Sequence, residues 1–436
     1  VSLRDFIEQA RQAGVLVEIR REVNPHLELA RVAASLDGRP VLFHHVTGSK
    51  FPVIVGAGSA REYYARALGV SDDRLLHTLA SALEHPRPPE TVESGPCQQV
   101  IGSDVNLGCL PILVHLPTDP APYITAGVAI IRDPDYGRNV SFHRLMVTGP
   151  RTVVARVVEG RGTDTAWRKA QDSLPVAICI GNSLPVLLAA SMSPPKGVDE
   201  FGLANAMWPT PLVQCKTVDL QVPADSEFVL EGHMTHQLAD EGPFLDLTET
   251  MDFVRRQPVI EIDCVARQRD AIYQALLPGK LEHKLLMGMP KEPTIFAAVS
   301  KMCECRDVVI TPGGTSWLHA VVSIVKRGPE DGRRAIEAAF VGHGSLKHVV
   351  VVDDDINIHD PAQVEWAIAT RFQASRDLVV LPDQPGSSLD PSATHVPGQK
   401  TRTAKMGLDA TIPWGANRKE YERMPYEQVD VAEYLT

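Results

Sequence analysis

Leu3, Phe6, Ile7 and Ala10 recur at the spacing of one helical face, and Gly14 follows where a helix would stop. Residues 15–19, 41–45 and 52–55 are short apolar runs that read as strands. Ser59 and Ser71 each stand ahead of a helical stretch as N-caps. From Val100 to about Ala271 strands dominate, at 127–132, 139–147, 153–158, 213–222, 228–234 and 259–265. Helices are predicted among them at 165–173 and 184–191. Many short strands with intermittent turns predict a barrel or sandwich. Beyond Pro290 the texture alternates: 308–310 and 349–352 read as strands, 335–340 and 364–370 as helices, which predicts an α/β layer. The tail from Pro382 is polar and proline-containing and is expected to be loop. Prolines crowd residues 86–96, the best linker in the chain. With the change of texture near 290, this linker divides the sequence into 1–95, 96–290 and 291–436.

Composition narrows the function classes. With 436 residues, 44% hydrophobic and 22% charged, the chain can bury sizeable cores, and wholesale disorder is excluded. No apolar run approaches the roughly 18 residues of a membrane span. The opening residues read as a helix, not as the apolar segment of a signal peptide. A net charge of −11 without a basic stripe argues against nucleic acid. The 7 cysteines stand singly apart from Cys303 and Cys305, which suits reduced thiols and neither a disulfide frame nor a zinc ribbon. A cytoplasmic enzyme is the expectation.

Common catalytic motifs are missing: there is no G-x-G-x-x-G, P-loop or G-x-S-x-G. Gly342-His343-Gly344 reads as a turn, and the adjacent His44 and His45 point to opposite faces of a strand. Asp353-Asp354-Asp355 reads as a solvated strand end, with a cation site as the lesser alternative. One cluster stands out. Glu241-Gly242-Pro243-Phe244-Leu245-Asp246 sets two carboxylates around a Gly-Pro turn. Such a pair, with an arginine nearby, can keep one acid protonated and the other ionised; otherwise it is a polar turn.

Several segments carry a wider likeness. They are Leu110-Pro111, Pro122 to Gly127, Gly137 to Arg144, Ala190-Ser191-Met192 with Glu200, Glu241 to Phe244, Leu276 to Gly279, Glu282-His283, Trp366 to Arg371 and Lys405 to Thr411. In this order the chain resembles, over roughly residues 3–411, the UbiD-type decarboxylases that depend on prenylated flavin mononucleotide (FMN). The resemblance implies an N-terminal α/β region packed on a flavin-reductase-like split β-barrel, plus a C-terminal α/β oligomerisation domain, in a homodimer or homohexamer.

It also implies roles. Arg144, Glu241 and Asp246 match the family's catalytic arginine and acids, with Glu241 protonating the product carbon and Asp246 tuning it. Loss of carbon dioxide from an sp² carbon needs an electron sink, which the flavin provides. Asn139, Ser141, Phe142, His143, Arg144, Arg161, Ser191, Met192 and Glu200 fall at cofactor-binding positions. Asn139 and Glu200 match two ligands of a divalent cation, Mn²⁺ or Mg²⁺, and Gly162 stands where the family carries a third, a histidine. Either that ligand is lost, or Asp164 or a water replaces it. Ala189, Ala190, Met192 and Glu200 match a site for K⁺ or Na⁺. His283 and Lys291 match substrate contacts of the branch acting on furan or other heteroaromatic acids, where an arginine occupies the position of Lys291. A heteroaromatic carboxylate is therefore the first expectation, followed by a hydroxybenzoate or an unsaturated aliphatic acid. A flavin prenyltransferase is implied as cofactor supplier. A flavin oxidoreductase and a non-catalytic flavin-binding subunit are the readings of other classes.

Overall fold

The computed structural model describes residues 1–396, 399–424, 426, 429–430 and 433–435. Two compact units emerge: residues 1–294 with 310–319 and 387–393, and residues 295–309 with 320–386 and 394–436.

The first unit opens on helix Leu3–Gln12, closed by a capping box in which Ser2 and Asp5 satisfy each other's backbone N–H groups. Gly14, at φ +69°, ends the helical stretch as expected. A small sheet follows, in the order Val17–Ile19, Val41–Phe43, Val53–Val55, Tyr273–Ala275. The proline-rich segment is not a plain linker, because Thr91–Val92 within it pairs with Leu212–Gln214.

The main sheet runs in the order Tyr123–Ile124, Leu145–Val147, Thr152–Ala155, Arg255–Arg267, Phe228–Glu241, Ser173–Ile180, Val128–Asp133, Gly137–Phe142, with Val100–Gly102 also on Arg255–Arg267. Its two longest strands, Phe228–Glu241 and Arg255–Arg267, form one antiparallel ribbon with two register shifts. Gly137–Phe142 ends the order, yet the chain re-enters near its other end at Leu145 after only two residues. Two residues span less than about 11 Å, so the sheet must curl until its ends are near. No ladder joins those ends among the described residues, and the result is a split barrel.

Both faces of the curled sheet are covered. In Val128–Asp133, Val128 and Ile130 enter one apolar core while Ala129 and Ile131 enter the other. The first core also takes helices Arg61–Ala67, Asp72–Glu84, Leu184–Ser191 and Glu200–Met207.

Several expected boundaries move. The predicted strand 139–147 is two strands, broken at His143 and Arg144. The predicted strand 213–222 is the hairpin of Leu212–Gln214 and Gln221–Pro223. The helix expected at 165–173 is Gly162–Lys169, and Ser173 opens a strand. Ser59 caps no helix; its hydroxyl bonds Gly56 O, and Ala60 takes the N-cap position.

The second unit carries a five-stranded sheet, ordered Glu304–Ile310, His319–Val325, His348–Asp353, Arg402–Asp409, Leu378–Pro385. The tail is thus not all loop, since Arg402–Asp409 is an inner strand. Asp354 and Asp355 are exposed at the strand end as expected, but Asp353 is buried. Its carboxylate and that of Asp355 clasp the buried Arg371 guanidinium at 3.0 and 2.6 Å, and Asp353 also accepts from Ile412 N. No helix among the described residues is long and apolar enough to cross a membrane.

Candidate functional site

Arg144 lies in the two-residue crossing between sheet ends, and it gathers three carboxylates. Nε donates to Glu241 Oε1 at 2.8 Å and Nη2 to Oε2 at 3.0 Å, a two-pronged pair. Nη2 also meets Asp252 Oδ2 at 2.9 Å, and Nη1 lies 3.7 Å from Asp246 Oδ2. The guanidinium sits 5.0 Å from the Phe244 ring centroid. Burial works against the Arg144 charge, but Glu241, Asp252 and Asp246 together raise its pKa. Burial also opposes ionisation of Asp252, yet Arg255 and Arg144 outweigh it and hold that carboxyl low. Glu241 is 0% exposed, so any proton it carries comes and goes inside the protein.

The local fold explains the convergence. Glu241 ends the long strand, opposite Arg255. Gly242 follows at φ +94°, with a cis bond to Pro243, and its N–H donates to the Tyr123 hydroxyl at 3.2 Å. Phe244 packs on Tyr123 with ring centroids 4.3 Å apart. Asp246 N then bonds Thr250 O, and Phe244–Leu245 pairs with Met251–Asp252. This fold-back delivers Asp252 to Arg144, a partner that sequence reasoning missed. Arg255, 2.5 Å from Asp252, was missed as well.

His283 belongs to this cluster. It sits on helix Leu281–Gly288, and its Nδ1 accepts from Gly279 N at 3.0 Å, so the ring proton resides on Nε2. Burial lowers its pKa despite the nearby Asp246, which keeps the ring neutral.

A second group lies on the other side of the crossing. Asn139 Nδ2 donates to Ser141 Oγ at 3.3 Å, and Ser141 Oγ lies 3.2 Å from His143 Nε2. His143 is buried, which lowers its pKa. Phe142 is half-buried on the same strand, in register with Val128. Glu200, also buried, accepts from Val140 N at 3.0 Å, and burial pushes its carboxyl up to about 7. Gly162 adjoins Asn139 so closely that a Cβ there would collide with Asn139 Oδ1. Asp164 does not face this group: Gly160 N and Arg168 occupy its oxygens.

Helix Leu184–Ser191 ends nearby. Ala189 and Ala190 are buried, the Ser191 hydroxyl bonds back to Leu187 O, and Met192 N donates to Ala189 O. Lys291 is placed here, apart from the acid cluster. Its Nζ donates to Ser193 Oγ at 2.6 Å, and burial, then the neighbouring Arg161, pushes it down to about 8. Among the described residues no three His, Cys, Asp or Glu side chains group as a metal cluster.

This geometry has known counterparts. The N-terminal, Rift-related and C-terminal domain models of 3-octaprenyl-4-hydroxybenzoate carboxy-lyase (UbiD) match residues 7–83, 90–281 and 284–410. Anhydromevalonate phosphate decarboxylase of Methanosarcina mazei is 42% identical over 417 residues, covering 94% of this chain and 96% of that protein. The Methanothermobacter thermautotrophicus enzyme of the same name is 40% identical over 430 residues, covering 97% and 99%. Among solved structures, the UbiD-class enzyme HmfF from Pelotomaculum thermopropionicum, in complex with FMN, matches at TM-score 0.95 and 38% identity over 100% of both chains. An evolved dimeric HmfF in complex with prenylated FMN matches at TM-score 0.91 and 36% identity over 99% of both. The buried arginine and its acids therefore sit in a chain that belongs to the UbiD family of prenylated-FMN-dependent decarboxylases.

Proposed function

We propose that the substrate is an α,β-unsaturated aliphatic acid carrying a phosphate, of the anhydromevalonate phosphate type. The observation behind this is the similarity, over nearly their whole lengths, to relatives named for that acid. It displaces the heteroaromatic acid that the sequence resemblance ranked first.

Prenylated FMN, when bound, supplies the electron sink for the carbon that loses carbon dioxide. The protein's own groups divide the remaining work. Arg144 Nη1, whose one carboxylate neighbour among the described residues is Asp246 at 3.7 Å, keeps donor capacity for the substrate carboxylate. Glu241 is the acid that protonates the product carbon. Protonating it does not strand Arg144, because Asp252 and Asp246 remain as counter-charges. His283 offers a neutral Nε2–H donor beside them.

On the other side of the crossing, Asn139 and Glu200 fit a divalent cation beside the flavin phosphate. Glu200 is buried and has no ion-pair partner among the described residues, and hard cations favour such oxygen donors. Carbonyls at the end of helix Leu184–Ser191 suit a monovalent cation.

The test is carbon dioxide release from a panel of acids by protein produced with a flavin prenyltransferase. The phosphorylated unsaturated acid is expected to show the highest kcat/KM, and protein carrying ordinary FMN is expected to be inactive. A furan, pyrrole or phenolic acid turned over faster would return the assignment to the aromatic class.

Lys291 supplies a narrower check. With Arg161 it forms a cationic pair fit for the substrate's second anion. Lys291→Met is expected to raise KM for the phosphorylated acid on the order of 100-fold with flavin content unchanged. Loss of flavin instead would assign Lys291 to the cofactor's phosphate.

A further inference from the structure

We propose that His143 provides the nitrogen ligand that position 162 lacks, so that Asn139, His143 and Glu200 together hold the divalent cation. This rests on the cation reading given above and deepens it.

The imidazole is set up as a ligand. Nδ1 lies 2.8 Å from the carbonyl of Arg156, and only as an N–H donor can it bond there. That fixes the tautomer and leaves a lone pair on Nε2. Metal-bound histidines are commonly braced in this way, with the second ring nitrogen donating to a backbone carbonyl. Among the described residues Nε2 bonds two hydroxyls, Thr163 Oγ1 at 3.0 Å and Ser141 Oγ at 3.2 Å. Both are rotors that can release the lone pair without leaving a buried donor bound to nothing else, since they also lie 3.4 Å from each other.

The ring also stands in the right company. Ser141 Oγ touches Asn139 Nδ2 as well as His143 Nε2, so a single hydroxyl separates amide from imidazole. Asn139 turns its Oδ1 towards Gly162, and it fits there because that residue has no side chain. Thr163, which follows Gly162, is the residue that meets the imidazole. The crossing strand thus brings a histidine to the place from which residue 162 withdraws one. Asp164, the other candidate replacement, is committed to Gly160 N and Arg168. An imidazole in the set favours manganese over magnesium, which prefers oxygen donors alone.

The experiment uses full-length protein produced with a flavin prenyltransferase, loaded with Mn²⁺ and dialysed against EDTA. Retained manganese is measured by elemental analysis, and pulsed EPR of the bound Mn²⁺ reads nitrogen coupling, with ¹⁵N-histidine labelling to assign it. Wild-type protein is expected to show coupling from one histidine nitrogen. His143→Ala should abolish that coupling and lower retained manganese on the order of 10-fold or more. His143→Gln, which keeps a hydrogen-bonding side chain but no imidazole, should lose the coupling as well. Retained manganese without histidine coupling in the wild type would overturn the proposal and leave the cation on Asn139 and Glu200. Flavin-loaded wild type that retains no manganese would instead remove the cation reading itself.

Discussion

Glu241→Gln is expected to lose at least about 100-fold in decarboxylation while its flavin content stays at the wild-type level. General acids typically contribute 10²–10⁴-fold, and 100-fold corresponds to about 2.7 kcal/mol of barrier. The substitution preserves shape at a site with no exposure to water. It removes the transferable proton and turns a two-oxygen acceptor into one oxygen and an amide that faces Arg144 donors. The fold should tolerate this, because Arg144 keeps Asp252 at 2.9 Å. Steady-state rates paired with flavin absorbance test the claim. Near-normal turnover would reduce Glu241 to a member of a polar turn.

Arg144→Ala should remove turnover too, but with a different signature. Glu241 would be left buried without its guanidinium partner, whereas Asp252 keeps Arg255 at 2.5 Å; stranding a buried charge commonly costs about 3–5 kcal/mol. A buried carboxylate stripped of its counter-charge resists ionisation. A carboxyl whose pKa is raised in this way binds more protons folded than unfolded. Its contribution to stability is present at low pH and is lost as pH climbs through the raised value. The variant is therefore expected to regain thermal stability, relative to wild type, as pH falls from 7 towards the ordinary carboxyl range near 4. A constant difference in Tm across that range would show that Glu241 is not held by Arg144.

How much of this was legible in the sequence depended on the kind of burial each segment meets. Helix Leu184–Ser191 was read to the residue, since an apolar run after a serine and Pro185 leaves little choice. Strand Ser173–Ile180 was not read. Its residues enter two cores alternately, so polar and apolar positions never alternate. Arg402–Asp409 was hidden by Lys405, a lysine buried in an inner strand with its ammonium on Gly344 O at 2.7 Å. The pair Glu241 and Asp246 was visible as spacing around a Gly-Pro turn, whereas Arg144 entered through resemblance alone. Asp252 carried no signal, because its approach depends on the Phe244–Leu245 fold-back. Lys291 could be named but not placed, since its position follows from tertiary packing against Ser193.

The acid cluster is anchored unevenly within the fold. Arg144 and Glu241 are anchored in or beside the main sheet, while Asp246 and Asp252 both ride on the excursion of residues 242–254 between its two longest strands. That stretch is a cassette. Exchanging it for another of the same span would replace two of the three counter-charges of Arg144, and the aromatic ring beneath it, without touching Asn139 or His143. The charge balance around Arg144 can thus be reset at one end of a hairpin while the strand Gly137–Phe142 stays as it is.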